Sequence, residues 1–160
     1  MHTCTINRRK PFDPAKFIGE GWMIWRGPAN SDGLTGEEQQ CAASLALREI
    51  DLSKVLLVTR LMGSETFMVG EELLSRLKTG TSIMLDAKIG QTLLQNPHLI
   101  PDSWKGKEVY FIGSVLRQPN GDRCVLCLYW DEGTEMRWKW RCTWLESELT
   151  DDDPVAVLVR

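Results

Sequence analysis

Histidine is almost missing from this chain: His2 and His98 are the only two in 160 residues. Catalysis or zinc binding through imidazole has nothing else to draw on. Tyrosine (2) and phenylalanine (4) are also sparse. An excess of positive charge is lacking too. The net charge is −3 and the isoelectric point about 5.5, so the chain as a whole is not drawn to nucleic acid, although a local basic patch is compatible with that total. No apolar run reaches the roughly 20 residues of a membrane span. The opening "MHTCTINRRKPFDP" has cations with no apolar stretch behind them, which excludes a secretory signal there. The cysteines (Cys4, Cys41, Cys124, Cys127 and Cys142) are odd in number and irregularly spaced. That excludes a disulfide framework and implies a reducing compartment, read as the cytoplasm.

Tryptophan is abundant. There are seven, and Trp104, Trp130, Trp138, Trp140 and Trp144 fall beyond residue 100. Hydrophobic content of 42% and charged content of 26% are those of an ordinary globular chain, long enough to bury one core. The expected organisation is a loose arm over 1–16, where Pro11 and Pro14 bracket Phe12, followed by one domain over 17–160.

"FIGEGWMIWRGP" (17–28) has strand composition interrupted by glycines. Thr35 followed by Glu38 has the capping-box spacing, and Cys41, Ala42, Leu45 and Ala46 share one face, so a helix is expected over 35–50. "VLLVTRL" (55–61) is a strand, with "FMV" a candidate hairpin return. "GEELLSRLKTG" (70–80) is a helix with Leu73, Leu74 and Leu77 inward. "SIML" is a brief strand. Asp86 caps a helix over 87–96 that turns Ile89, Leu93 and Leu94 inward. "HLIPDSWKGK" is a linker pinned by Trp104. Strands follow at 108–117, 123–130 and 136–145, and "VAVLV" is a last strand. The fold class is α+β: a mainly antiparallel sheet, with a C-terminal three-strand meander, packed with two or three short helices.

The blocks "GEGWMIWRGP", "LREIDLSKV", "LDAKIGQTLLQNPHLIPDSWKG" and "PNGDRCVLCLYW" resemble a group of small uncharacterised bacterial proteins over most of residues 11–158. The resemblance implies a single bacterial domain and brings with it no activity and no binding site.

The segment "MRWKWRCTWLES" (136–147) alternates indoles with cations. Side chains of a strand alternate between faces. Met136, Trp138, Trp140, Cys142 and Trp144 therefore share one face, and Arg137, Lys139, Arg141 and Thr143 the other. A single-strand nucleic-acid platform needs both types on one open face. Segregation favours an inward tryptophan face and an outward basic face whose charges are met by the acidic loops "DEGTE" and "ESELTDDD". With Asn120-Gly121 as the central turn residues, Leu116 lies opposite Val125 and Phe111 opposite Trp130. With Trp130 opposite Met136, Leu128 faces Trp138, Leu126 faces Trp140 and Cys124 faces Cys142. The tryptophan face then joins Phe111, Val115, Leu126, Leu128 and Trp130. Helices can cover one face of this sheet well; the other falls to the N-terminal strand, to long Arg and Lys stems, or to a partner.

Other motifs have plain readings. Cys124 and Cys127 sit three apart within a strand, so their sulfurs point to opposite faces, and no metal site or cofactor is expected. "TDDDP" and "NSDG" are turns, and Gly19-x-Gly21 is too short for a phosphate loop. Trp22 and Trp25, three apart, split between core and surface. With Arg26 beside them they are the first hint of a partner surface.

The expected function is therefore non-enzymatic: a bacterial or phage-borne protein that binds another protein through Trp22, Trp25, Arg26, Arg137, Lys139 and Arg141. The alternatives are nucleic-acid binding through Arg137, Lys139 and Arg141 aided by Arg8, Arg9 and Lys10, and a small enzyme using Glu20, His98 or Asp86.

Overall fold

The computed structural model describes residues 2–160. Strands and helices alternate irregularly: β1 Thr3–Thr5, α1 Pro14–Phe17, β2 Met23–Ile24, α2 Ala42–Leu45, β3 Glu49–Asp51, β4 Leu56–Val58, β5 Met68–Val69, α3 Gly70–Lys78, β6 Ser82–Met84, α4 Ala87–Gln95, β7 Glu108–Arg117, β8 Arg123–Asp131, β9 Arg137–Trp144, β10 Glu148–Leu149 and β11 Val155–Val159. The fold is α+β. The main sheet runs β4-β11-β7-β8-β9, with β2 on β7 and β6 on β11, and every pairing is antiparallel except β11 with β7. Among the described residues no helix is long and apolar enough to cross a membrane.

Period-two alternation assigns the sheet two apolar faces, and each has its own helix. Val109, Phe111, Leu128 and Ala156 meet Ile89 and Leu93 of α4, together with Trp104. Tyr110, Val125, Cys127, Val155 and Val157 meet Leu73, Leu74 and Leu77 of α3, with Trp25, Leu145 and Leu149. The middle strand β8 is buried on both sides from Cys124 to Leu128, as its unbroken apolar run requires. Both faces are covered, so neither leaves the broad bare surface that one-sided helices would have left.

The expected loose arm is tied down. β1 pairs with β3, Thr3 opposite Asp51, and Cys4, Ile6 and Phe12 are buried. Arg8 then forks onto Asp86 at 3.1 and 2.9 Å and bonds the Leu47 and Ser44 carbonyls, each at 2.7 Å. Pro11 and Pro14 do not free the chain; Pro14 opens α1.

The helix expected over 35–50 reduces to α2. Gly36 has φ +116°, outside any helix. Residues 39–41 run extended: the Gln39 amide donates to Trp25 (2.8 Å), the Val115 amide to Gln39 (3.0 Å) and the Cys41 amide to Gly113 (2.7 Å). Long-range backbone pairing overrides helical propensity. The hairpin expected between 55–61 and "FMV" is also absent from the described residues: β4 pairs with β11 and β5 with β10.

Two registers differ from expectation. The β7–β8 turn closes on Pro119-Asn120-Gly121, with the Gln118 amide on the Asp122 carbonyl (2.9 Å) and Gly121 at φ +97°. Proline in the first turn position converts the expected two-residue loop into a three-residue one. Leu116 therefore faces Cys124. An irregularity between Phe111 and Leu116 then moves Phe111 opposite Leu126 and turns Val115 to the α3 face. At the β8–β9 loop Met136 turns left-handed (φ 49°). Trp130 faces Trp138, Leu128 faces Trp140, Leu126 faces Cys142 and Cys124 faces Trp144. This is a slip of two, which conserves faces where a slip of one would exchange them.

Candidate functional edge

β9 is the last strand of the sheet path, and it is eight residues long. Its backbone alternates in direction. The Leu145 amide donates inward to Arg123 at 2.9 Å, and antiparallel ladders repeat every second residue. Arg137, Lys139, Arg141 and Thr143 thus bond β8, while the amides and carbonyls of Trp138, Trp140 and Cys142 point away from it. Among the described residues no backbone group pairs with these outward groups. The result is a ready strand template.

Side chains flank this edge on both sides. On the α4 face, Trp138 and Trp140 are half-buried against the core. Trp140 lies 4.5 Å from the ring of Phe17 on α1, and Trp138 meets Trp130 edge-on at 5.7 Å. The tryptophan face is thus inward for these two. Trp144 differs: it is 54% exposed, and its indole Nε1 donates to Gln118 Oε1 at 2.9 Å. Its ring lies at a small surface pocket with Glu71, Gly121 and Arg123, outside the core clusters.

On the opposite face stand the three cations. Arg137 pairs with Glu135. Lys139 sits 3.0 Å from Asp131 and 3.4 Å from Glu135. Arg141 reaches Glu108 and lies over the Tyr129 ring at 5.2 Å. The hydrogen bond from Lys139 and the Gly133 amide hold the Asp131 carboxyl below its ordinary value. Glu108 is pushed the other way, by burial and by a hydrogen bond with Asp153, against the lowering pull of Arg141. "DEGTE" does meet the stripe; from the acidic tail, Asp153 joins it through Glu108. Asp131 and Glu108 lie inboard on β8 and β7, leaving the cations at the rim.

At the hairpin end of β9 a groove of about 540 Å³ opens, lined by Trp130, Trp138, Met136, Arg137, Leu94 and His98 among others. Lys105 lies 4.0 Å over the Trp130 ring, and Met136 is 61% exposed.

The remaining candidates are dispersed. Trp25 is 2% exposed, with its indole on the Pro28 carbonyl (3.1 Å) and Arg123 over its ring, which removes it from any contact surface. Trp22 is half-buried against the cluster of Phe12, Ile24 and Leu126. Arg26 bonds the Gly36 carbonyl at 2.8 Å. Trp25 and Arg26 serve the 25–41 loop. Arg8 is consumed by Asp86; Arg9 and Lys10 are exposed. Asp86 is fully buried and accepts from Arg8, Ser44 and the Lys88 and Ile89 amides, so its oxygens are committed to structure. His98 and Glu20 are exposed, and no hydrogen bond joins either to Asp86. Cys124 and Cys127 do lie on opposite faces. Burial pushes the thiols of Cys124 and Cys142 up to about 12, and that of Cys127 further, which keeps all three protonated. No cluster of His, Cys, Asp and Glu suited to a metal ion occurs among the described residues.

Sequence reasoning found the cations and indoles but not the edge, because nothing in 136–147 states that no further strand follows. A signal was present: alternate cations along a long strand are a common guard on sheet edges. Comparison with protein-family models, curated proteins and solved structures finds no match to this chain.

Proposed function

We propose that this chain is a binding protein that receives an extended segment of another protein along the outer edge of β9. The observation that carries the reading is the row of outward, unpaired backbone groups at Trp138, Trp140 and Cys142. Each backbone hydrogen bond formed there contributes about 1 kcal/mol net, and alternate side chains of the incoming strand meet the indole side and the cation side. Arg137, Lys139 and Arg141 remain in the interface; Trp22, Trp25 and Arg26 leave it.

An oligonucleotide is the weaker occupant. Aromatics and cations stand on opposite faces of β9, where a single-strand platform needs both on one face. Enzymatic chemistry has less support still, since Asp86, His98 and Glu20 form no constellation.

The test is peptide selection from a displayed random library, read against Cys142→Pro. Proline there deletes one outward amide and leaves the β8 ladder intact. Selected peptides are expected to slow amide exchange at Trp138, Trp140 and Cys142 and to lose affinity for C142P. Peptides that bind C142P equally and leave those amides unchanged would contradict the reading.

A further inference from the structure

Resting on that docking edge, we infer the chemistry of the segment it accepts: a strand with carboxylates at alternate positions and apolar side chains between them. A strand laid against β9 has its own side chains alternating in step. Those beside Trp138, Trp140 and Cys142 extend the apolar α4 face. Those beside Arg137, Lys139 and Arg141 fall next to three cationic heads. Opposite charges directly across a strand pair attract, and like charges repel.

The two arginines are not locked away by their present partners, while Lys139, 29% exposed at the side chain, sits between Asp131 and Glu135. Arg137 is 65% exposed and Arg141 47% exposed at the side chain. Exposed ion pairs of this kind contribute little to stability, so exchanging one carboxylate for another is nearly neutral. The present carboxylates come from inboard strands and the hairpin loop, whereas an incoming segment arrives on the outboard side of β9.

The same charges exclude the most available competitor, a second copy of this chain. Antiparallel pairing of β9 with its own duplicate sets Trp138, Trp140 and Cys142 against one another. In that register Lys139 stands against Arg141 of the other copy and Arg141 against its Lys139, with Arg137 opposite Thr143. Self-pairing is therefore repelled where an acidic partner is attracted, so one feature both guards the edge and selects its occupant.

The hairpin-end groove completes the fit. It adjoins the first residue of β9 and is walled by the Trp130–Trp138 pair and Met136. An apolar or aromatic residue at the end of the segment would lodge there.

The experiment uses the full chain and three short capped peptides: glutamate alternating with valine, lysine alternating with valine, and the glutamate composition rearranged in blocks. The glutamate-alternating peptide is expected to slow amide exchange at Trp138, Trp140 and Cys142 and to bind about tenfold or more tightly than either other peptide. Reversal of both central charges, Lys139→Glu with Arg141→Glu, should transfer the preference to the lysine peptide. Equal protection of those amides by glutamate and lysine peptides would overturn the acidic preference while leaving the docking edge standing. Binding with no change at those amides would overturn both. Tighter binding of a single-stranded oligonucleotide in place of the glutamate peptide would overturn the choice of a protein segment.

Discussion

Asp86 gathers more of the fold than any other single side chain. It anchors Arg8 from the N-terminal strap, Ser44 from α2 and the Lys88 and Ile89 amides of α4, with Asp86 and Ser44 themselves at zero exposure. Removing one partner of a buried pair strands the other charge, so Asp86→Ala should cost about 3–5 kcal/mol, read as a fall in the urea midpoint. The two ends of the tryptophan row should behave unequally. Trp140→Ala, which strips packing from Phe17 and Leu128, should cost about 2–3 kcal/mol, while Trp144→Ala should stay within about 1 kcal/mol.

Glu108 supplies a pH signature at the same scale. Its carboxyl is raised above the ordinary 4.5, so the folded state holds the proton more tightly than the unfolded chain. Its contribution is present below that ordinary value and is lost as pH rises through the folded one. Glu108→Gln should flatten that decline above pH 4.5 in a stability–pH profile. Glu65 has the opposite sign: the Arg76 pair holds it near 2, so its contribution is present above 4.5 and lost as pH falls towards 2.

At the scale of elements, legibility followed locality. α3, α4, β7, β8 and β11 were readable because cap, apolar period and turn residues agree within each segment. Asp86 does cap α4, accepting from the Lys88 and Ile89 amides. The segment 35–41 was not readable, because the bonds that straighten it come from Trp25, Gly113 and Val115, which are distant in the chain. Register lay between. Pro119 decides the first turn locally, but the shift between Phe111 and Leu116 answers to a contact from elsewhere. Gly113 lies under the Met84 carbonyl, where an added Cβ would sit 2.2 Å away. Gly113→Ala should therefore force β6 from β7 and cost about 1–3 kcal/mol, checked by thermal melting.

For the whole molecule, the sheet has two covered faces and one long exposed edge. That arrangement places the candidate site on a border, where sequence is least informative: a strand's composition describes its faces, and its edges are set by which strands fail to arrive. Arg137, Lys139 and Arg141 were visible as a stripe, but only the strand order makes them a rim. The N-terminal strap belongs to the same whole. It delivers Cys4, Ile6 and Phe12 to the core and Arg8 to Asp86, so a chain beginning after residue 12 should lose cooperative unfolding.

Amide hydrogen exchange across β9 in the free protein, resolved residue by residue by NMR, tests the open edge most directly. Alternation is the predicted result: slow exchange at Lys139, Arg141 and Thr143, whose amides bond β8, and fast exchange at Trp138, Trp140 and Cys142. Uniformly slow exchange along all six would mean that the outer edge is already occupied, and the account of this strand as a docking site would be wrong.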